Sequence, residues 1–213
     1  DRTDVWFSLQ SDIDLGSWIA THAPGEGWSP IGTSEKPFKG HFIGNKHTVK
    51  GLHINRASSY QGLFASISNG DIKGLTIEGD VTANGYVGLL AGAIDTSTQL
   101  SDCHAKGSLT AHSEVAGGLA GYFYGTANNC RFEGAVSGTT KVGGLFGSVS
   151  NSDISGCRTD ATVSGTESSG GLIGSYVQSG TSPYSVTHCF AKSTITGESG
   201  ANKYFGGLIG YLY

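Results

Sequence analysis

The chain has 213 residues, of which 35 are glycine; only 14% are charged and the formal net charge is −4. Its 13 basic residues occur singly, with no Lys or Arg run and no basic–aromatic interleaving, which argues against nucleic acid as a partner because phosphate binding needs concentrated positive charge. No stretch approaches 18 consecutive apolar residues, so no membrane insertion by helix is expected.

Residues 1–55 hold all three tryptophans (Trp6, Trp18, Trp28) and three of the four prolines (Pro24, Pro30, Pro37). This segment reads as an N-terminal cap plus irregular first coils, because a stack of strands needs its open end covered. The chain starts at Asp1 without a Met and stops at Tyr213, so a piece of a longer protein is expected.

From residue 56 onward a glycine-rich knot recurs. It reads G-L-F-A at 62–65, V-G-L-L-A-G at 87–92, A-G-G-L-A-G at 116–121, V-G-G-L-F-G at 142–147 and G-G-L-I-G at 170–174 and 206–210. The knot leucines Leu63, Leu90, Leu119, Leu145, Leu172 and Leu208 are spaced by 27, 29, 26, 27 and 36 residues. A fixed period near 27 means stacked, self-similar coils.

Each of the first five knots is followed, 11 to 17 residues after its leucine, by Leu75, Cys103, Cys130, Cys157 or Cys189. From these positions run L-T-I-E-G-D-V-T-A, C-H-A-K-G-S-L-T-A, C-R-F-E-G-A-V-S-G, C-R-T-D-A-T-V-S-G and C-F-A-K-S-T-I-T-G, each alternating apolar and polar residues as a half-buried strand does. The knot supplies a second apolar strand, its glycines serving tight corners or close approach between layers. With two strands per repeat and no helical period, the chain is expected to be all-β: a right-handed parallel β-helix of about seven or eight coils, one domain over 1–213 with repeats over 56–213. A position that accepts Cys or Leu points inward, so Leu75 and the four cysteines are expected to form a ladder of free, buried thiols. No C-x-x-C pair or comparable spacing suggests zinc, and no cofactor is expected.

The knot followed by a Cys or Leu strand resembles the GLUG repeat of bacterial surface and secreted proteins, including the non-catalytic N-terminal parts of IgA-specific metallopeptidases and adhesin-like chains. F-S-L-Q-S-D-I-D-L at 7–15, W-S-P-I-G at 28–32 and F-K-G-H-F-I-G-N-K-H-T-V-K-G-L at 38–52 are similar to the lead-in of such proteins, departing from it at Ile43 and Lys46. The resemblance implies an extracellular or cell-surface β-helix within a larger protein.

Chemistry is sparse. Glu78, Lys106, Glu133, Asp160 and Lys192 share one phase of the repeat and read as an exposed charge ladder rather than a catalytic carboxylate pair. Asp71 and Asp153 share another and read as turn caps. His41, His47 and His53, six residues apart, lack a metal-binding pattern. The longer last repeat carries two excursions, at 178–185 and 197–204, where Tyr176, Tyr184 and Tyr204 could gather, with Tyr122 and Tyr124 on an earlier coil. Exposed tyrosine suits sugars or proteins. The expected function is a non-catalytic adhesin-like module or stalk that contacts a host or cell-surface glycan or protein. The alternatives are a polysaccharide lyase or glycoside hydrolase on a β-helix, and an accessory domain of an IgA-type metallopeptidase.

Overall fold

The computed structural model describes residues 5–179, 183–197, 200 and 202–213. The chain is a parallel β-solenoid built from three stacked sheets. A seven-stranded sheet carries the long strands Ile13–Asp14, Thr48–Arg56, Thr76–Ala83, His104–Ala111, Arg131–Ser137, Arg158–Ser164 and Phe190–Thr196. A five-stranded sheet carries the short strands Tyr86–Val87, Val115–Gly117, Lys141–Gly143, Ser168–Gly170 and Tyr204–Gly206. The third face is bent. In its middle coils one strand, such as Ala91–Ser101 or Ala120–Asn128, pairs along both of its arms, with a register shift at the bend.

Seven or eight coils are expected from the sequence, but only five carry all three faces. The deficit lies at the N-terminal end, where the first two long-sheet strands have no short-strand partner. The repeat also has one more strand than its sequence pattern suggests. The knot is not a strand but a corner: Val142 and Gly143 close a short strand, and Phe146 opens the bent face. Its last glycine faces the short strand of the preceding coil, where a Cβ on Gly121 or Gly174 would crowd the backbone at Val87 or Val142.

The second corner leads from the bent face into the long face. One residue there is left-handed in five successive coils: Gly74, Asp102, Asn129, Gly156 and His188, with φ between 54° and 64°. Glycine, Asp, Asn and His tolerate that region better than other residues. The next residue is Leu75, Cys103, Cys130, Cys157 or Cys189. Their backbones stack in order, since His104 N donates to Leu75 O, Arg131 N to Cys103 O, Arg158 N to Cys130 O and Phe190 N to Cys157 O, all at 2.9 Å. Cys103, Cys130 and Cys157 are fully buried, Cys189 is half-buried, and all four thiols are free. The Cys103, Cys130 and Cys157 sulfurs each lie 3.4 Å from the carbonyl oxygen two residues earlier. Hydrogen bonding with Cys103 and Cys157, together with burial, holds the Cys130 thiol well above its usual range.

The interior is a set of in-register ladders. One runs Ile67, Ile94, Phe123, Val149, Tyr176, Leu212. Another runs Ile54, Val81, Leu109, Val136, Val163, Ile195. Phe123 and Phe146 stack face to face at 4.3 Å. At the C-terminal end the ladders emerge into solvent, with Leu212 at 66% exposure against 0% for Val149.

The N-terminal segment contains a helix, Leu15–His22, that the sequence pattern does not signal. Two turns containing a glycine are too short to show a period. Asp14 caps it by accepting from Gly16 N at 3.0 Å, and Leu15 and Ile19, four residues apart, are its buried residues. No helix among the described residues is long and apolar enough to cross a membrane.

Gly107 and Gly134 sit mid-strand with φ of 147° and 146°, and a Cβ on either would run into the carbonyl oxygen of the glycine on the previous coil. Gly134→Ala is therefore expected to destabilise the fold by about 2–4 kcal/mol, and Ser108→Ala, at an exposed site, by less than about 0.5 kcal/mol, in urea denaturation. A charged thiol reagent is expected to label only Cys189 in the native protein and all four cysteines after unfolding.

Candidate functional site

The small turn between the bent and short faces is concave, and tyrosines converge there. On the bent face an outward column runs Ser66, Ala93, Tyr122, Ser148, Ser175, Tyr211. On the short face the facing column runs Tyr86, Val115, Lys141, Ser168, Tyr204. The small residues of the bent-face column make a floor, and tyrosines rise from the two columns on adjacent coils at Tyr86 and Tyr122 and on one coil at Tyr204 and Tyr211, with Val115 and Lys141 between them.

The first cluster is Tyr60, Tyr86 and Tyr122. Tyr60 stacks on Tyr86 at 5.1 Å, and Tyr86 meets Tyr122 edge-on at 6.3 Å. With Ser34, Ser66 and Asp95 they line a cleft of about 270 Å³. Tyr60 holds a left-handed backbone, φ 59°, which is uncommon for a bulky residue and is the kind of strain that collects at binding sites. Burial, then the Glu114 carboxylate, pushes the Tyr86 hydroxyl up, so it stays a hydrogen-bond donor through the physiological range. The second cluster joins Tyr204 to Tyr211 at 4.6 Å and Tyr211 to Tyr213 at 6.5 Å.

The tyrosines singled out from the sequence are divided by this arrangement. Tyr122 and Tyr204 fall in the two clusters. Tyr176 does not: it is 3% exposed, on an inward ladder, and its hydroxyl donates to Ser152 O at 3.0 Å. The expectation of an exposed Tyr176 is corrected by strand alternation, which turns it inward beside Val149. Tyr184 is half-buried against the core. Tyr124 is half-buried at the bend of its strand and has no ring partner among the described residues. Parts of both excursions, residues 180–182, 198, 199 and 201, lie outside the described residues.

The charge ladder has the expected register: Glu78, Lys106, Glu133, Asp160 and Lys192 are consecutive partners. Lys106 Nζ reaches Glu78 at 3.7 Å and Lys192 Nζ reaches Asp160 at 2.8 Å. Glu133 turns to Arg131 at 3.8 Å and to the edge of His104 at 3.3 Å. Asp153 caps a turn by accepting from Ser185 N and Oγ, both at 2.9 Å. Asp71 instead accepts from His41, one of three histidine–aspartate pairs: His41–Asp71 at 2.7 Å, His47–Asp12 at 3.1 Å and His53–Asp80 at 2.6 Å. The six-residue histidine spacing thus sets up three separate pairs. No group of three His, Cys, Asp or Glu side chains suited to a metal ion occurs among the described residues.

With this geometry established, the likenesses to known proteins are limited. No family model matches the chain. A stretch of 93 residues, 42% of the chain, is 38% identical to part of halomucin from Haloquadratum walsbyi, of whose length it spans 1%. A solved structure from Bacteroides ovatus, provisionally assigned as an immunoglobulin A1 protease, matches with a TM-score of 0.72 over 98% of this chain and 67% of that one at 22% identity. At that identity the likeness is one of fold.

His104 is 6% exposed and its Nε2 has no hydrogen bond; burial, then Arg131, lowers its pKa to about 4. Against about 6.5 in the unfolded chain, this histidine takes up its proton on unfolding between those limits, so its contribution to stability is complete above pH 6.5 and is lost as pH falls toward 4. Unfolding free energies from urea denaturation at pH 7.5 and 4.5 are expected to differ less in His104→Gln than in the wild type, by an amount on the order of 2 kcal/mol.

Proposed function

We propose that this chain is a non-catalytic, extracellular or cell-surface solenoid module of GLUG-repeat type that binds glycans along its tyrosine-walled corner. The observation that carries the reading is the Tyr60–Tyr86–Tyr122 cluster: flat rings, a floor of small residues and hydroxyl donors, the combination by which aromatic side chains hold a sugar ring. The halomucin stretch supports a surface setting, since by its name that protein is a mucin. The non-catalytic reading rests on the acids. A glycosidase needs two free carboxylates about 5–9.5 Å apart. The adjacent Glu133 and Asp160 each already face a cation.

A second reading, an accessory region of an IgA-directed protease, is favoured by the fold likeness over 98% of the chain. In that case the module would hold an immunoglobulin or its sugars while another domain cuts.

An array of neutral oligosaccharides and host glycoproteins tests the first reading. Binding is expected, with Tyr86→Ala and Tyr122→Ala each weakening it about tenfold and Tyr184→Ala leaving it unchanged. Equal binding by the wild type and both variants would remove the tyrosine corner as the site. New reducing ends released from a polysaccharide panel would favour the hydrolase alternative.

A further inference from the structure

The opposite corner of the solenoid, where the left-handed residues stack, carries a groove of about 840 Å³. Lys46, Lys73, Arg131 and Arg158 all line it, against one carboxylate, Asp102. This is a local reversal of sign in a chain of net charge −4.

Three features separate these cations from ordinary surface charge. First, Arg131 and Arg158 are register partners on adjacent strands. Their strands lie about 4.8 Å apart, and like-charged side chains directly opposite one another destabilise a sheet unless something neutralises them. Two residues further along the same two strands stand Glu133 and Asp160, but Glu133 reaches only Arg131, at 3.8 Å, and Asp160 turns to Lys192 on the next strand at 2.8 Å, which leaves Arg158 without a carboxylate partner among the described residues. Second, Lys46, Lys73 and Arg158 form no ion pair among the described residues, and Arg131 has only the long 3.8 Å contact to Glu133. Third, Lys46 is held at φ 66°, a conformation disfavoured for a lysine. The neighbouring field is felt at His104, where Arg131 and Arg158 both disfavour the protonated ring.

We infer that this corner is a second binding groove, for an acidic polysaccharide whose carboxylate or sulfate groups bridge Lys46, Lys73, Arg131 and Arg158. Arginine forks suit both anions. Thr76 and Asn129, on the same groove, can meet sugar hydroxyls. The lining holds no Phe, Tyr or Trp on which a nucleobase could stack, its one imidazole, His104, is only 6% exposed, and the acidic remainder of the chain repels a duplex polyphosphate. The inference stands apart from the tyrosine corner, which lies between different faces.

The test measures binding of the purified chain to immobilised heparin (sulfated), polygalacturonate (carboxylated only), dextran (neutral) and duplex DNA, at about 50 and 500 mM salt. Retention on one or both acidic glycans, not on dextran, weakened at least tenfold by high salt, is expected. Arg131→Gln/Arg158→Gln is expected to weaken it at least tenfold, and so is Lys46→Gln/Lys73→Gln, which changes only exposed side chains. Tyr86→Ala should bind the acidic glycans as the wild type does. The soluble glycan should raise the wild-type melting temperature and leave that of the arginine variant unchanged. Heparin retention alone assigns the groove to sulfated chains, and polygalacturonate retention to uronates. No retention of either glycan, unchanged binding in both double variants, or DNA bound as tightly through the same residues would each overturn the inference.

Discussion

Each repeat enters its long strand through one left-handed residue, and the layout of the solenoid depends on that corner. Gly74, Asp102, Asn129, Gly156 and His188 turn the chain with nearly the same φ, and the amide of each of the first four donates to a carbonyl on the following coil at 2.9–3.1 Å. Once the corner is fixed, the next side chain must point inward, because alternation along a strand leaves no other choice. The thiol ladder follows from this, as do the buried Val81, Leu109, Val136 and Val163 six residues later. A one-residue slip at the corner would turn each of these ladders outward.

The knot imposes a complementary constraint. Its glycines bring the bent and short faces so close that only backbone fits between them, as at Gly121 and Gly174. That closeness makes the outer angle between the two faces narrow, and serines on its floor are shielded: Ser148 and Ser175 are 5% and 1% exposed although they face outward. The corner at the other end of the bent face is wider and carries charge.

The fold was legible because its period is written in residues that few others can replace: the knot glycines and the inward Cys or Leu. The third face was not, since a strand such as Val115–Gly117 is only three residues long and merges with the knot. The coils with three faces number fewer than the period suggests because the first layers were built from cap sequence rather than repeats. The tyrosine corner was only half legible. Tyr122 and Tyr204 stood out as aromatic residues in a serine-rich chain, but Tyr60 and Tyr86 were missed because their cluster draws on two faces and crosses the repeat phase. Tyr176 was misplaced because its excursion drew attention from its alternation with Val177 and Ser175. The basic corner does leave a signal in the sequence: Lys46 and Lys73, like Arg131 and Arg158, are 27 residues apart. The period that spaces the cysteines thus also spaces these charges.

A corner that is copied once per turn has a property no isolated pocket has. Inserting or deleting one whole repeat lengthens or shortens it by a single rung, about 4.8 Å, without altering its cross-section. Repeat number then sets the length of the column. Relatives could change that length by unequal recombination alone, with the backbone geometry of every remaining coil preserved.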